Sequence, residues 1–134
     1  MDPLLQAALN ARNNAHAPYS NFRVGAAIED ESGRIHTGCN IENATYGLTL
    51  CAERVAVFKA ISEGARKFKR IAVAADTATL TPPCGACRQI LWEFCGNAEV
   101  TLINLQHKSD FPERRAATRC GAAASALARP PHSA

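Results

Sequence analysis

Two short cysteine-containing segments constrain the fold of this chain more than any other feature of its sequence. The first is Cys51-Ala52-Glu53-Arg54, and the second is Pro83-Cys84-Gly85-Ala86-Cys87. Each follows a loop and opens a predicted helix, over residues 51–63 and roughly 84–94. Cys84 and Cys87 are three positions apart, so their sulfur atoms fall on one face of a first helical turn. A fold that joins Cys51 to this pair has to bring two helix N-termini together.

The residue types at these helix N-termini favour a bound zinc ion. Cys51, Cys84 and Cys87 supply three ligands, and three protein ligands plus one open position are typical of catalytic zinc sites. The helix dipoles and free N–H groups favour thiolate over thiol. Glu53 lies beside the ligands without being needed as one, which predicts a general acid/base that moves protons from and to a bound water. We expect Arg54 to donate hydrogen bonds to the thiolates. A structural zinc site or a redox pair at the two neighbouring cysteines is the alternative.

Hydrophobic periodicity predicts alternating helices and strands. The predicted helices cover residues 3–14, 51–63 and 84–94, and the predicted strands cover residues 22–29, 34–41, 71–75 and 99–105. In the second helix we expect the apolar face to consist of Val55, Phe58, Ala60 and Ile61. The order α-β-β-α-β-α-β predicts an α/β fold with helices packed on a mixed sheet.

The charge of the chain is unevenly distributed. Its 134 residues suit one domain, and the formal net charge is +3. Residues 1–107 contain ten Lys and Arg against ten Asp and Glu, whereas residues 108–134 contain five against two. The balanced first part excludes a basic body built to bind nucleic acid. We therefore predict a zinc catalytic domain over residues 1–107. Residues 108–134 form an atypical basic tail rich in Ala, Arg and Pro, in which we find no strand pattern.

Nothing in the sequence indicates a membrane segment. The longest apolar run, residues 71–75, is far shorter than the roughly 18 residues that span a bilayer. We expect a cytoplasmic protein, and in that reducing compartment the cysteines are not expected to form a disulfide framework. The histidines lack metal-ligand spacing, so we expect loop or surface positions for His16, His36, His107 and His132.

Two further segments resemble a known enzyme family. Residues 19–27, YSNFRVGAA, resemble the first-strand motif of the small homotetrameric zinc-dependent cytidine deaminases, and residues 38–44, GCNIENA, resemble their ribose-binding segment. The cysteine segments match the zinc-deaminase signature, in which a Cys or His is followed by x-Glu and later by Pro-Cys-x-x-Cys. The resemblance runs from about Leu4 to Gln106 and implies a three-layer α-β-α fold.

The resemblance also implies an activity. It is the hydrolytic deamination of free cytidine or deoxycytidine in pyrimidine salvage, through a zinc-activated water and Glu53 as the acid/base. One zinc ion per chain would be held by Cys51, Cys84 and Cys87, in a homotetramer with shared active sites and no nucleic-acid or membrane partner. The implied substrate contacts are Phe22 against the pyrimidine, Asn40 and Glu42 on the ribose, the backbone of Ala52 on the base, and Tyr46 and Gly47 where a neighbouring subunit completes the pocket.

Other interpretations stay open. The same zinc chemistry would serve a deaminase of a modified cytosine nucleoside, such as a nucleoside antibiotic, although Asn40 and Glu42 argue mildly against it. After Gln106 the sequence departs from the family's further strand and leucine-rich helix, which end in an aromatic residue. A zinc-stabilised scaffold with impaired activity is therefore a third hypothesis. The tail itself is a divergent terminus, a disordered extension or the product of a reading-frame change.

Overall fold

The computed structural model describes residues 2–75, 85–96, 98–105 and 112–119. The predicted helices and strands between residues 3 and 105 are confirmed, with boundaries shifted by a few residues. The helices are α1 (Pro3–Arg12), α2 (Ala52–Ser62) and α3 (Gly85–Cys95), with a short 3-10 helix at Tyr46–Leu48. The strands are β1 (Val24–Asp30), β2 (Ile35–Cys39), β3 (Phe68–Ala75), β4 (Glu99–Leu105) and β5 (Pro112–Arg119).

The strands form one mixed sheet in the order β2-β1-β3-β4-β5. Strand β1 is antiparallel to both of its neighbours, and β3 is parallel to β4. Strands β2 and β3 therefore run in the same direction, and the register places their last residues, Cys39 and Ala75, beside Gly25 and Val24 at the start of β1. Because α2 follows β2 and α3 follows β3, both helices begin at the edge of the sheet formed by the C-terminal ends of β2 and β3.

The helices cover both faces of the sheet, which confirms the predicted α/β fold. Helix α1 packs on one face, against Ala27, Ala72 and Ile103. Helices α2 and α3 pack on the opposite face, against Ile28, Ile71, Val73 and Val100. Side chains that alternate along β1 and β3 thus enter two separate cores, as the two-residue period of a strand requires. Within the described ranges, no helix has the length and apolar character to cross a membrane.

Two helices rest on glycine positions in the sheet. A Cβ atom on Gly25 would lie 2.1 Å from the carbonyl oxygen of Ala8 in α1, and one on Gly38 would lie 2.5 Å from the backbone nitrogen of Ala56 in α2. The predicted apolar face of α2 is wrong in part, because Phe58 is 41% exposed. Small residues face the strand instead, since the close approach leaves room only for side chains such as those of Ala52, Ala56, Val57 and Ala60.

A fifth strand follows Gln106, where the sequence shows no strand pattern. Strand β5 pairs antiparallel with β4 along most of its length, so the sheet extends beyond the predicted boundary at residue 107. The alanines and arginines of β5 have little intrinsic strand preference, but pairing with a neighbouring strand overrides propensity. Pro112 is the first residue of the strand, a position that proline tolerates.

The expectation that His36 lies in a loop or at the surface is also wrong. His36 lies inside β2 and is 3% exposed. Its Nε2 is 3.0 Å from Oδ2 of Asp30, and its Nδ1 is 2.8 Å from Oε1 of Glu63. Hydrogen bonds from Ser32 and His36 hold the pKa of Asp30 well below its ordinary value, and the His36 contact likewise lowers that of Glu63. This cluster ties the C-terminal end of α2 to the β1–β2 hairpin.

Candidate active site

The first turn of α2 buries a carboxylate at the edge where the helices begin. Cys51 is the N-cap residue of α2, Ala52 is fully buried, and Glu53 lies in the first turn with an exposure of only 6%. Acidic side chains are favoured here by the positive end of the helix dipole. Glutamate is almost never this buried unless it has a partner or a role. The position therefore suits a group that transfers protons inside a closed site.

Arg54 faces back toward the start of its own helix. Its Nη2 donates to the carbonyl oxygen of Thr49 at 3.0 Å and to Sγ of Cys51 at 3.7 Å. A guanidinium beside a sulfur atom favours the thiolate, which is the form that binds metal ions. The contact is of the kind that the sequence led us to expect from Arg54.

The other two predicted zinc ligands lie at the start of α3 or before it. Cys87 belongs to the first turn of α3, where the backbone is described, and Cys84 lies outside the described residues. Among the side chains that the structure describes, no group of three His, Cys, Asp or Glu residues could hold a metal ion. The zinc site stays a prediction, which the shared edge of the two helix N-termini and the Arg54–Cys51 contact support.

Two described cysteines outside the predicted zinc site, Cys39 and Cys95, suit a structural role. Cys39, Cys51 and Cys95 take part in no disulfide in the described part of the chain. Burial raises the pKa of the Cys39 thiol, which keeps it protonated. Cys95 is buried in the core beneath α2 and α3.

Residues 40–42 form a short extended segment held from both sides. His16 donates its backbone N–H to the carbonyl oxygen of Asn40 at 3.0 Å, and Glu42 donates its own to the carbonyl oxygen of His16 at 2.8 Å. On the other side, Ile41 and Leu50 exchange two backbone hydrogen bonds of 2.9 Å. Since Leu50 directly precedes the N-cap of α2, the segment is fixed relative to the start of that helix.

The side chain of Asn40 holds the beginning of β1. Its Oδ1 accepts from the backbone N–H of Val24 at 2.9 Å, and its Nδ2 donates to the carbonyl oxygen of Phe22 at 2.7 Å. An amide side chain has two donor hydrogens and two acceptor lone pairs, so one of each is left for another partner once the contacts with described residues are counted. Asn40 is 9% exposed, and Phe22 is half-buried. A ribose contact of Asn40 stays a prediction from the family resemblance, and the structure adds that Asn40 anchors the backbone around Phe22.

Glu42 lies at the side of an open cavity. Its Oε1 accepts from the backbone N–H groups of Tyr19 and Ser20, at 2.9 and 3.1 Å, and its Oε2 accepts from the Ser20 hydroxyl. The Ser20 hydroxyl is the largest cause that holds the pKa of Glu42 below its ordinary value. The cavity measures about 360 Å³ and is lined by Tyr19, Ser20, Glu42, Asn43, Ala44 and Thr49. An ionised, acceptor-only group therefore borders a space large enough for part of a small polar ligand.

The loop after Glu42 is open to its surroundings. Tyr46 begins the short 3-10 helix, and a Cβ added to Gly47 would meet no atom within 4 Å. The neighbouring Leu48 is 64% exposed, and Tyr19 and Ile41 are also exposed. Apolar side chains left uncovered beside a cavity indicate a surface that another molecule can cover.

Sequence reasoning missed Ser20 and Thr49. Ser20 contacts Glu42 through both its backbone and its hydroxyl, and the carbonyl oxygen of Thr49 positions Arg54. Ser20 could have been found, because a hydroxyl residue two positions before a half-buried aromatic is well placed to hydrogen-bond that residue's backbone. Thr49 positions Arg54 through its main chain, and that contact leaves no signal in the choice of residue.

Comparison with known proteins identifies close relatives. Residues 2–103 match the sequence model of a family described as the cytidine and deoxycytidylate deaminase zinc-binding region. A protein of Sporosarcina psychrophila named cytidine deaminase is 52% identical over 114 residues, which cover 84% of this chain and 82% of the relative. One from Halalkalibacterium halodurans, also named cytidine deaminase, is 55% identical over 104 residues, covering 77% and 79%.

Solved structures agree with the sequence relatives. The crystal structure of cytidine deaminase from Burkholderia pseudomallei matches with a TM-score of 0.82 and 45% identity, covering 90% of this chain and 92% of that one. The crystal structure of cytidine deaminase from Mycobacterium tuberculosis matches with a TM-score of 0.71 and 38% identity, covering 89% of each chain. The sheet and its helices are thus those of proteins that share well over a third of their aligned residues with this chain.

Proposed function

The chain belongs to the cytidine and deoxycytidylate deaminase family, and from this premise we propose that it converts free cytidine and deoxycytidine to uridine and deoxyuridine. In the reaction, water adds to C4 of the base, the bond from C4 to the amino nitrogen breaks, and ammonia leaves. The observation that carries the proposal is the buried Glu53 in the first turn of α2, next to Cys51 and Arg54.

We assign one zinc ion per chain to Cys51, Cys84 and Cys87. The donor set suits zinc, because sulfur ligands at helix N-termini are stabilised as thiolates. When bound, zinc supplies the Lewis acidity that makes a water molecule nucleophilic near neutral pH. Three thiolates would outweigh the charge of the ion, and the hydrogen bond from Arg54 to Cys51 offsets part of that excess.

Glu53 moves the protons of the reaction. It accepts a proton from the attacking water, delivers it to N3 of the ring and then assists the departure of the amino group as ammonia. A general acid/base must stay within hydrogen-bonding reach of these atoms throughout, and a rigid first helical turn keeps it there. Burial also excludes bulk water, which would otherwise compete for the proton.

Asn40 and Glu42 bind the sugar of the nucleoside. Glu42 is ionised and can only accept hydrogen bonds, so it suits a hydroxyl that donates. Asn40 retains one N–H and one lone pair and can complete the hydrogen bonding of the same sugar. Phe22 packs against the pyrimidine ring, and the backbone of Ala52 binds the base. Recognition of a free sugar, together with the balanced charge of residues 1–107, favours a nucleoside over a nucleic-acid substrate.

A neighbouring subunit completes the pocket in this proposal. Tyr46 and Gly47 lie on the open loop beside the sugar site, and the exposed side chains of Tyr19, Ile41 and Leu48 provide an apolar surface for a second copy. The assembly is a homotetramer with shared active sites, acting in pyrimidine salvage in the cytoplasm. Every residue with an assigned role lies within residues 1–107.

A turnover assay tests the proposed function. The purified protein is loaded with zinc, its zinc content is measured, and cytidine, deoxycytidine and a modified cytosine nucleoside are supplied side by side. Loss of cytosine absorbance with equal release of ammonia is the expected result. Turnover of the modified nucleoside alone would favour the antibiotic-type deaminase. A folded, zinc-loaded protein that converts none of them would contradict deamination altogether.

A further inference from the structure

Ser20 links the proposed sugar site to the proposed base site. Its hydroxyl donates to Oε2 of Glu42, and the same oxygen accepts from the backbone N–H of Phe22 at 3.0 Å. Its own backbone N–H donates to Oε1 of Glu42 at 3.1 Å. One small side chain therefore contacts two residues to which the proposed mechanism gives a role, while having no assigned role itself.

The local backbone fixes the direction of this hydroxyl. Asn21 adopts a positive φ of 55°, which asparagine tolerates better than most residues, and its N–H donates to the carbonyl oxygen of Ala17 at 3.0 Å. The resulting turn places the N–H of Phe22 against the Ser20 oxygen. Because that N–H uses a lone pair of the oxygen, the hydroxyl hydrogen is left to point at Glu42.

The described hydrogen bonds to the Glu42 carboxylate leave one of its acceptor positions free. An ionised carboxylate has about four acceptor positions. The N–H groups of Tyr19 and Ser20 fill those of Oε1, and the Ser20 hydroxyl fills one of Oε2. One position on Oε2 remains among the contacts that the structure describes. Without the hydroxyl, Oε1 would still be held by the two backbone N–H groups, but Oε2 would lose its hydrogen bond and have two open positions instead of one.

We propose that Ser20 is a positioning residue that orients the carboxylate of Glu42 toward the sugar hydroxyl of a bound nucleoside. The inference rests on the proposed function, because it takes its meaning from Glu42 as the sugar-binding group. It assigns Ser20 a part in substrate affinity rather than in the chemical step. The low pKa of Glu42 agrees with it, since the same hydrogen bonds keep the carboxylate ionised.

The test compares Ser20→Ala with Ser20→Thr on two substrates. We expect Ser20→Ala to raise KM for cytidine about ten-fold and to leave kcat nearly unchanged, because a hydrogen bond to a charged group is lost equally from bound substrate and transition state. Ser20→Thr keeps the hydroxyl and restores most of the affinity. Dideoxycytidine lacks the vicinal 2′- and 3′-hydroxyls and keeps only the 5′-hydroxyl, so it should have the same kcat/KM with wild-type protein and Ser20→Ala.

Each outcome of this test has a distinct meaning. An unchanged KM for cytidine in Ser20→Ala would overturn the inference. An equal loss of kcat/KM on cytidine and dideoxycytidine, together with a lower melting temperature, would also overturn it, because that pattern marks a purely structural serine. A wild-type protein that turns over no cytosine nucleoside would overturn the proposed function, and the inference with it, before any variant is measured.

Discussion

Gly38 of β2 and Ala52 of α2 pack so closely that a Cβ atom on Gly38 would lie 2.6 Å from the Ala52 carbonyl oxygen. Both atoms that limit this approach, the Ala52 oxygen and the Ala56 nitrogen, belong to the helix backbone and cannot rotate away. Helix α2 carries Glu53 one residue after Ala52. The distance between strand and helix therefore sets the position of the proposed acid/base.

Replacing Gly38 with alanine should displace α2 from the sheet. Overpacking of this kind costs typically about 1–3 kcal/mol, and we expect at least that loss in the free energy of unfolding. Urea unfolding of Gly38→Ala and wild type measures it. The kcat of Gly38→Ala should fall as well. A variant as stable as the wild type would show that the helix and strand tolerate separation.

We expect Asp30 to make the stability of the folded protein depend on pH. Its pKa is held below the ordinary 3.8 in the folded protein by hydrogen bonds from Ser32 and His36. The carboxyl of Asp30 is therefore harder to protonate in the folded protein than in the unfolded chain. The contribution of Asp30 to the free energy of unfolding is complete above the ordinary pKa, and it is lost as the pH falls toward the pKa of the folded protein. We expect Asp30→Asn to be less stable than wild type at about pH 6, and we expect that difference to begin to shrink by about pH 3, as the unfolded chain becomes protonated.

Thermal unfolding across that pH range measures the effect of Asp30→Asn. Glu31→Gln is the matched control, since Glu31 is the exposed carboxylate next along the chain. Its melting temperature should stay parallel to that of the wild type. A difference between Asp30→Asn and wild type that is constant with pH would contradict the role given to the Asp30–His36 contact.

Arg54 should strengthen metal binding. Arg54→Lys keeps the positive charge but loses the planar guanidinium group. A lysine ammonium cannot reproduce the hydrogen bonds to both the Thr49 carbonyl oxygen and the Cys51 sulfur. Loss of such a supporting contact typically weakens metal affinity about 10- to 100-fold, and we expect that change in competition with a chelator. Arg66→Lys is the control, because Arg66 bonds the carbonyl oxygens of Ile61 and Ala65 at the far end of α2. Equal zinc retention in Arg54→Lys and wild type would remove Arg54 from the proposed site.

The order of helices and strands up to residue 105 was predictable, because periodicity and turn residues agree there. The distances at which helices pack on strands were not predictable from the sequence. Phe58 belongs to the strongest apolar periodicity of α2, yet it is exposed because Gly38 draws the helix so close that alanines must face the strand. Strand β5 was missed for a related reason, since its stability comes from pairing with β4 rather than from its own residues.

The sequence also located the candidate site better than it described its contacts. Glu53 and Cys51 could be placed from spacing alone, because a helix start fixes both. The family resemblance implies that Asn40 contacts the ribose, and the structure adds that its amide holds the backbone at Phe22 and Val24. The burial of His36 could not be read from its predicted strand, because the apolar Ile35 next to it lies on the other, exposed face. Hydrogen bonds between distant segments depend on the assembled fold and leave little trace in local sequence.

The kcat of Glu53→Gln for cytidine tests the central claim most directly. With wild type and variant matched in zinc content and melting temperature, the account predicts a fall of about a hundred- to ten-thousand-fold, because glutamine keeps the shape of the side chain but cannot carry the proton. A variant that retains kcat within about ten-fold of the wild type would contradict the account and require another group to move the proton.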